Sequence, residues 1–408
     1  MIHKSIISIK RCRLCKSDNL KKCFSFPKTP LANDFLKKKK FQKKFPLDIY
    51  ICIKCRHVQL KHVVNPNLLL SNYLYVSGTS SSFVEHFRDY AYSVISKNDI
   101  KKNDLILEIG SNDGVLLNSF KLLGYKNILG IEPAKKISEV SNKSGIRTIN
   151  SFFNLKITNK INQKFGLAKI IIANNVFAHI DDFDLVFNNI NLLLSDNGVI
   201  YFEVSYLLDV LKKNLFDTIY HEHLSYHSVT PIINFLKSKN LFLIDYKRVN
   251  THGGSIRFIV SKNKTLIKKN KINKIINLEK LNKVNQFSTY NKFYNQIMIK
   301  KKNLLKKLIS LKAQNKKIIG YGAPAKMTTL IYTLDLHKYN LFEFIIDDSP
   351  LKQNLYSPGL NIKIVSSKYL DIKKADVCVV FAWNFFKQIE KKHFKWKRQG
   401  GIFINPLE

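Results

Sequence analysis

The sequence predicts an α/β fold in three parts: a small zinc-binding module, a central Rossmann-like domain, and a second, smaller Rossmann-like α/β domain towards the C-terminus. Three observations carry this. Cys12-Arg-Leu-Cys15 and Cys52-Ile-Lys-Cys55 are equally spaced pairs framing a short N-terminal segment. From residue 104, apolar strands alternate with helical segments, the pattern of a parallel sheet with crossover helices. From residue 316 the device of strand, glycine loop and helix recurs.

A chain of 408 residues exceeds one ordinary core, so two or three domains are expected, and 45% hydrophobic residues suffice to fill them. No window approaches eighteen uncharged apolar residues, so no membrane span is expected. The start, MIHKSIISIKRC, has a few apolar residues but no signal h-region or small-residue cleavage site. Four of the six cysteines sit in the CxxC pairs, which reads as metal thiolate in a reducing cytoplasm rather than a disulfide framework. Cys23 and Cys378 read as ordinary free thiols.

The net charge of +39 points at first towards nucleic acid. Lysine, however, is scattered along the whole chain together with Ile and Asn, as an AT-rich coding sequence gives without selection. The runs Lys37 to Lys40 and Lys300 to Lys302 read as solvated faces, and no RGG, RRM or basic-aromatic platform accompanies them. No nucleic-acid partner is expected.

Residues 1–62 form the cysteine module, in which LCKSDNL and CIKCRHVQL each read as a knuckle leading into a short strand. Residues 63–100 hold a tyrosine- and serine-rich stretch, then an amphipathic helix from about Phe83 to Ser96. The central domain, 101–265, carries the strands DLILEIG, NILGIEP, KIIIANN and GVIYFEV. Segment 266–315 is rich in Lys, Asn and Leu, lacks Gly and Pro, and reads as a helical connector with an exposed basic side. The last part, 316–408, carries KKIIGYG, FEFIIDDSP, DVCVVFAWN and GIFINP.

Each CxxC lets two sulfurs reach one ion from a tight knuckle, so Cys12, Cys15, Cys52 and Cys55 suit one tetrahedral zinc. Four protein ligands leave no open position, which makes the ion structural. A redox CxxC is disfavoured because there are two copies and neither opens a helix after a strand. His57 is an alternative fourth ligand.

The strand LILEIG runs into Glu108-Ile-Gly110-Ser-Asn112-Asp-Gly114, and Glu132 closes the next strand. Glycine permits close backbone approach to a ligand, and the acid suits two ribose hydroxyls. A dinucleotide site would want G-x-G-x-x-G and a helix N-terminus for pyrophosphate. The acidic residue in this loop repels phosphate but tolerates the sulfonium and amino group of S-adenosylmethionine. The expected cofactor is that methyl donor, with Glu108, Gly110, Asn112 and Gly114 around its methionine part, and Phe152 or its neighbour near adenine. Asn174 and Asn175 end the strand KIIIANN, at the sheet edge where ligands lie. A single glycine loop is also compatible with a purely structural turn.

Tyr220-His221-Glu222-His223-Leu-Ser-Tyr226-His227 concentrates histidines after a strand and loop, and His179 follows the Asn-Asn strand end. Neutral imidazole can take a proton near neutral pH, Glu222 can orient or polarise it, and Tyr220 can donate to a forming enolate oxygen. H-E-H is not H-E-x-x-H, which disfavours a zinc protease. The residues alone leave open a hydrogen-bonded loop without chemistry.

The order of CRLC, TPLANDF, CIKCRHVQL, YLYVSGTSSSF, EIGSNDGVLL, GIEPA, ANNVFAHIDDFD, FEVSYL, DTIYHEHLSYHS, HGGSIR, GYGAPAK, DDSPLKQN, SPG and AWNF resembles the sugar C-methyltransferases that act on nucleotide-linked 4-keto-deoxysugars. The resemblance runs over nearly the whole chain, with only 266–315 lacking a marker. It implies a zinc module, a class I methyltransferase domain and a C-terminal Rossmann-like domain, with the nucleotide sugar in the cleft between them. It implies His223 as general base, with Tyr220, Glu222, His179 and Tyr75 around the sugar, and Lys326 near the cleft, able to pair with diphosphate. A ketone at C-4 acidifies the C-3 proton, and the enolate carbon then takes the methyl group.

The leading expectation is therefore an S-adenosylmethionine-dependent C-methyltransferase of a nucleotide sugar. The competing ones are a zinc-ribbon methyltransferase of RNA or another polyanion, and a non-catalytic relative that acts by binding. The individual sugar, the nucleotide and the oligomeric state are not legible.

Overall fold

The computed structural model describes residues 5–70, 76–79, 81–372 and 375–408. The strand LILEIG lies in the interior of a seven-stranded sheet because, Glu108 apart, it is apolar on both faces, as a parallel strand covered by helices on each side must be. The order across that sheet is Phe242–Val249, Ser255–Ser261, Leu194–Ser205, Ala168–Asn174, Leu105–Ile109, Ile128–Ile131, Thr148–Ile149. Ser255–Ser261 runs antiparallel between its two neighbours. The strands on either side of Leu105–Ile109 belong to opposite halves of the winding, so a crevice opens at the carboxyl ends of Leu105–Ile109 and Ala168–Asn174.

The C-terminal sheet has the order Ile364–Val365, Phe342–Ile346, Ile318–Tyr321, Val377–Val380, Ile402–Ile404, all parallel. It is again doubly wound, and Gly322 ends its first strand at a φ of 87°.

In the cysteine region, Leu20–Thr29, Phe45–Cys52 and Val58–Leu60 form an antiparallel meander. Its fourth strand is Ser225–Tyr226, supplied from the histidine-rich motif. The boundary between module and central domain that the sequence suggests is therefore crossed by a shared sheet. Segment 266–315 forms two helices, Lys269–Leu281 and Phe287–Ala313. The first buries Glu279, whose Oε1 accepts from the Tyr206 hydroxyl at 2.9 Å and the Val229 N–H at 2.6 Å. The second lays Phe293 and Tyr294 against Phe24 of the module, with centroids at 5.8 and 5.5 Å. One apolar core runs through all these parts. Among the described residues, no helix is long and apolar enough to cross a membrane.

Candidate active site

The two knuckles fold alike. Lys16 and Arg56 take left-handed φ values of 58° and 67°, and their N–H groups return to the carbonyls of Cys12 and Cys52 at 3.0 and 2.9 Å. The result gathers the Sγ atoms of Cys12, Cys15, Cys52 and Cys55 within 4.8 Å of one another, with Cys12–Cys55 and Cys15–Cys52 both at 3.5 Å. Four sulfurs about 2.3 Å from one zinc lie about 3.7 Å apart, so the cluster fits that ion. The thiols also share protons: the hydrogen bond from Cys55 draws Cys12 down to about 6, and burial raises Cys15 to about 11. His57 is not part of the cluster. It is fully buried, with Nε2 on the Ser225 hydroxyl at 3.1 Å.

At the crevice of the central sheet, Gly110 and Gly114 have φ values of 68° and 79°, and a Cβ on Gly110 would meet Val176 Cγ2 at 2.4 Å. Glu132 fastens the loop: Oε2 accepts from the Asn112 N–H at 3.0 Å and Oε1 from the Ala134 N–H at 2.8 Å. The Asn112 Oδ1 and Asp113 Oδ2 in turn accept from the N–H groups of Ser77 and Gly78, both at 2.9 Å. Asn174 Nδ2 reaches Glu108 Oε1 at 3.5 Å. Burial raises Glu108, Asp113 and Glu132 above the usual carboxylate range, and Asp113 adds to the rise at Glu108. Glu108 Oε2, Asp113 Oδ1 and Asn174 Oδ1 are buried with no partner among the described residues. Three acceptors left bare in one acidic crevice fit a cationic ligand, and S-adenosylmethionine carries both a sulfonium and an ammonium group. Asn175 stands just beyond at a φ of 56°, its N–H on the Glu203 carbonyl at 2.7 Å. Phe152 is about half exposed after the strand Thr148–Ile149, and its aromatic neighbour Phe153 is buried.

The histidine motif is tied to the segment that follows Ala168–Asn174: the N–H groups of Leu224 and Ser225 donate to the Ala178 carbonyl at 2.7 and 3.1 Å. His223 Nδ1 lies 2.8 Å from the Thr218 carbonyl, which can only accept, so the ring carries its proton on Nδ1. Nε2 is then the lone-pair nitrogen, and the Tyr220 hydroxyl donates to it at 2.9 Å. Burial, with His179 beside it, holds His223 well below the ordinary histidine value, and burial brings His179 down to about 4. The two rings meet edge to face at 5.1 Å. Glu222 turns away: its Oε1 accepts from Asn33 Nδ2 of the cysteine module at 2.7 Å, and burial raises it to about 7. The group orienting His223 is therefore the Thr218 carbonyl. His221 and His227 are spent on the carbonyls of Phe45 and Phe177, at 3.2 and 3.1 Å.

Lys326, at the glycine loop of the C-terminal sheet, donates to Asn384 Oδ1 at 3.0 Å and lies 3.7 Å from the Trp383 ring centre. Burial brings it down to about 8, against the pull of Asp217. Asp217 itself is buried beside Thr218 and accepts from the Trp383 indole. The Lys326 charge also helps hold His252 at about 4, after burial. Spacing gave no signal for Asp217, Trp383 or Asn384, although DTIYHEH and AWNF contain them. Tyr75 lies outside the described residues.

Residues 12–69 match the family described as a putative zinc binding domain, 83–245 a methyltransferase domain, and 250–407 a C-methyltransferase C-terminal domain. The chain is 30% identical over 403 residues to C-methyltransferase NovU of Streptomyces niveus, covering 98% of this chain and 96% of that protein. Among solved structures, an S-adenosylmethionine-dependent methyltransferase of Clostridium acetobutylicum matches at 17% identity, 48% of this chain, 94% of its own and a TM-score of 0.35. One from Anabaena variabilis matches at 13% identity, 48% and 91% coverage and a TM-score of 0.36. Likenesses that remote carry no argument. The end-to-end kinship with a C-methyltransferase does, and with the acidic crevice and four-cysteine cluster it places this chain in the C-methyltransferase family, as an S-adenosylmethionine-dependent enzyme with a zinc-binding module.

Proposed function

We propose that the enzyme methylates the carbon beside the ketone, C-3, of a nucleotide-linked 4-keto-deoxysugar. The observation that supports this most is the fixed tautomer of His223, whose Nδ1–H is held by Thr218 and whose Nε2 is left to act as base. A neutral ring is what proton abstraction requires, and burial keeps it neutral.

In this reading the substrate ketone takes over the hydrogen bond of Tyr220, which frees the Nε2 lone pair for the C-3 proton. The electron pair moves onto the ketone oxygen, where the Tyr220 hydroxyl stabilises it. Bound S-adenosylmethionine supplies the electrophilic methyl that the substrate carbon takes. Glu108, Asn112 and Asn174 hold its cationic end, Gly110 and Gly114 let the backbone approach, and Glu132 serves the ribose. Phe152 flanks the adenine and Asn175 closes the edge. His179 and Tyr75 contact the sugar, and Lys326 pairs with diphosphate oxygen. Cys12, Cys15, Cys52 and Cys55 hold zinc.

The test is incubation with labelled methyl donor and a panel of 4-keto nucleotide sugars, reading label on carbon. Solvent deuterium should enter C-3 without methyl transfer and should stop in His223→Asn. Label on oxygen, or exchange that survives His223→Asn, would overturn the reading.

A further inference from the structure

Arg13 sits inside the first zinc knuckle, between Cys12 and Leu14, and is only 3% exposed. Its guanidinium leaves the knuckle in two directions. Nε donates to Asp181 Oδ1 at 2.9 Å, and Nη1 donates to the Leu60 carbonyl at 2.7 Å. Asp181 lies two residues beyond His179. The Leu60 N–H donates at 2.9 Å to the carbonyl of Leu224, the residue after His223. The N–H groups of Leu224 and Ser225 both donate to the carbonyl of Ala178, the residue before His179, at 2.7 and 3.1 Å. Knuckle, His179 loop and His223 loop thus form one closed circuit of hydrogen bonds.

We propose that Arg13 is a positioning residue that couples the zinc knuckle to the loops of His179 and His223, so that the metal-held knuckle sets the alignment of the base. This rests on the reading of His223 as that base. A planar guanidinium can serve two acceptors in diverging directions, which a lysine ammonium on a flexible stem does not reproduce. The four cysteine ligands fix the backbone on both sides of Arg13, and that rigidity passes to Asp181 and Leu60. The arrangement gives a zinc site remote from the chemistry a part in it: a displacement of about 1 Å at a reacting group can cost about 100-fold in rate.

The experiment compares full-length wild type, Arg13→Lys and Asp181→Asn for zinc content, S-adenosylmethionine affinity, kcat and KM, and histidine ring signals by 15N NMR. Both variants should retain zinc and bind the methyl donor within about twofold, while kcat falls about 10- to 100-fold at nearly constant KM. The ring signals of His179 and His223 should shift and that of His393, in the C-terminal part, should not. Stripping zinc from wild type should move the same two signals. Unchanged kcat and ring signals would overturn the proposal, as would loss of zinc or donor affinity in proportion to kcat. If wild type exchanges deuterium into none of the 4-keto sugars, the substrate reading fails while the NMR comparison still decides the role of Arg13.

Discussion

Asn33 of the cysteine module donates its side-chain amide to Glu222 at 2.7 Å across 189 residues of sequence. This bond carries the module to the carboxylate next to the proposed base and helps hold an acid that burial has raised from 4.5 to about 7. The folded protein therefore binds the Glu222 proton more tightly than the unfolded chain. Its stability falls as pH rises from about 4.5 to about 7 and stays at the lower level above that. Glu222→Gln, which keeps an acceptor for Asn33, should be more stable than wild type by about 3 kcal/mol at pH 8 and by less than about 1 kcal/mol at pH 5. Urea unfolding at the two pH values reads this, and an equal gain at both would refute the assignment.

The cysteine cluster separates its four members from the two remaining thiols. Cys52→Ser should lose zinc and disorder the meander, because the metal supplies folding free energy on the order of 10 kcal/mol to such modules. Cys23→Ser and Cys378→Ser should keep the metal, since both are buried outside the cluster. Metal release measured with a chromogenic chelator distinguishes them.

Binding of the methyl donor should release protons. Glu108 and Asp113 are held above the usual carboxylate range by burial, and a cation seated against them restores their ionised forms. Affinity should rise with pH, and Glu108→Gln should weaken binding by about 10- to 100-fold, the worth of a charged hydrogen bond. Calorimetry in buffers of different ionisation heat counts the protons, and zero release would count against the acidic crevice as the donor site.

Lys326 loses its charge as pH rises through about 8. If it binds diphosphate, KM for the nucleotide sugar should climb above that pH in wild type. Lys326→Ala should start about 10-fold higher and stay flat across the same range. Parallel pH profiles in the two proteins would remove Lys326 from the substrate site.

Much of this was open to inspection in the chain itself. The eight strands named from hydrophobic runs are all present, because a parallel strand covered on both faces is mostly apolar. The antiparallel additions Phe242–Val249 and Ser255–Ser261 carry no such unbroken run: a buried Arg257 interrupts the second, and Glu203, 2.8 Å away, with the Tyr90 ring makes that charge tolerable. Glu222 was legible as a neighbour of His223 but not as the partner of Asn33, because successive residues in a turn point in different directions. Thr218 gave no hint at all, as its contribution is a carbonyl that every residue carries.

The sequence by itself singled out the four cysteines, the glycine loop and the histidine motif, because each depends on residue types at short, fixed spacing. Only the tertiary structure decided which nitrogen of His223 carries the proton, where Asp217 and Trp383 meet Lys326, and that Ser225–Tyr226 joins the cysteine sheet. Those contacts join segments far apart along the chain. Their partners are backbone groups or buried side chains chosen by packing, and packing leaves no periodic trace to read.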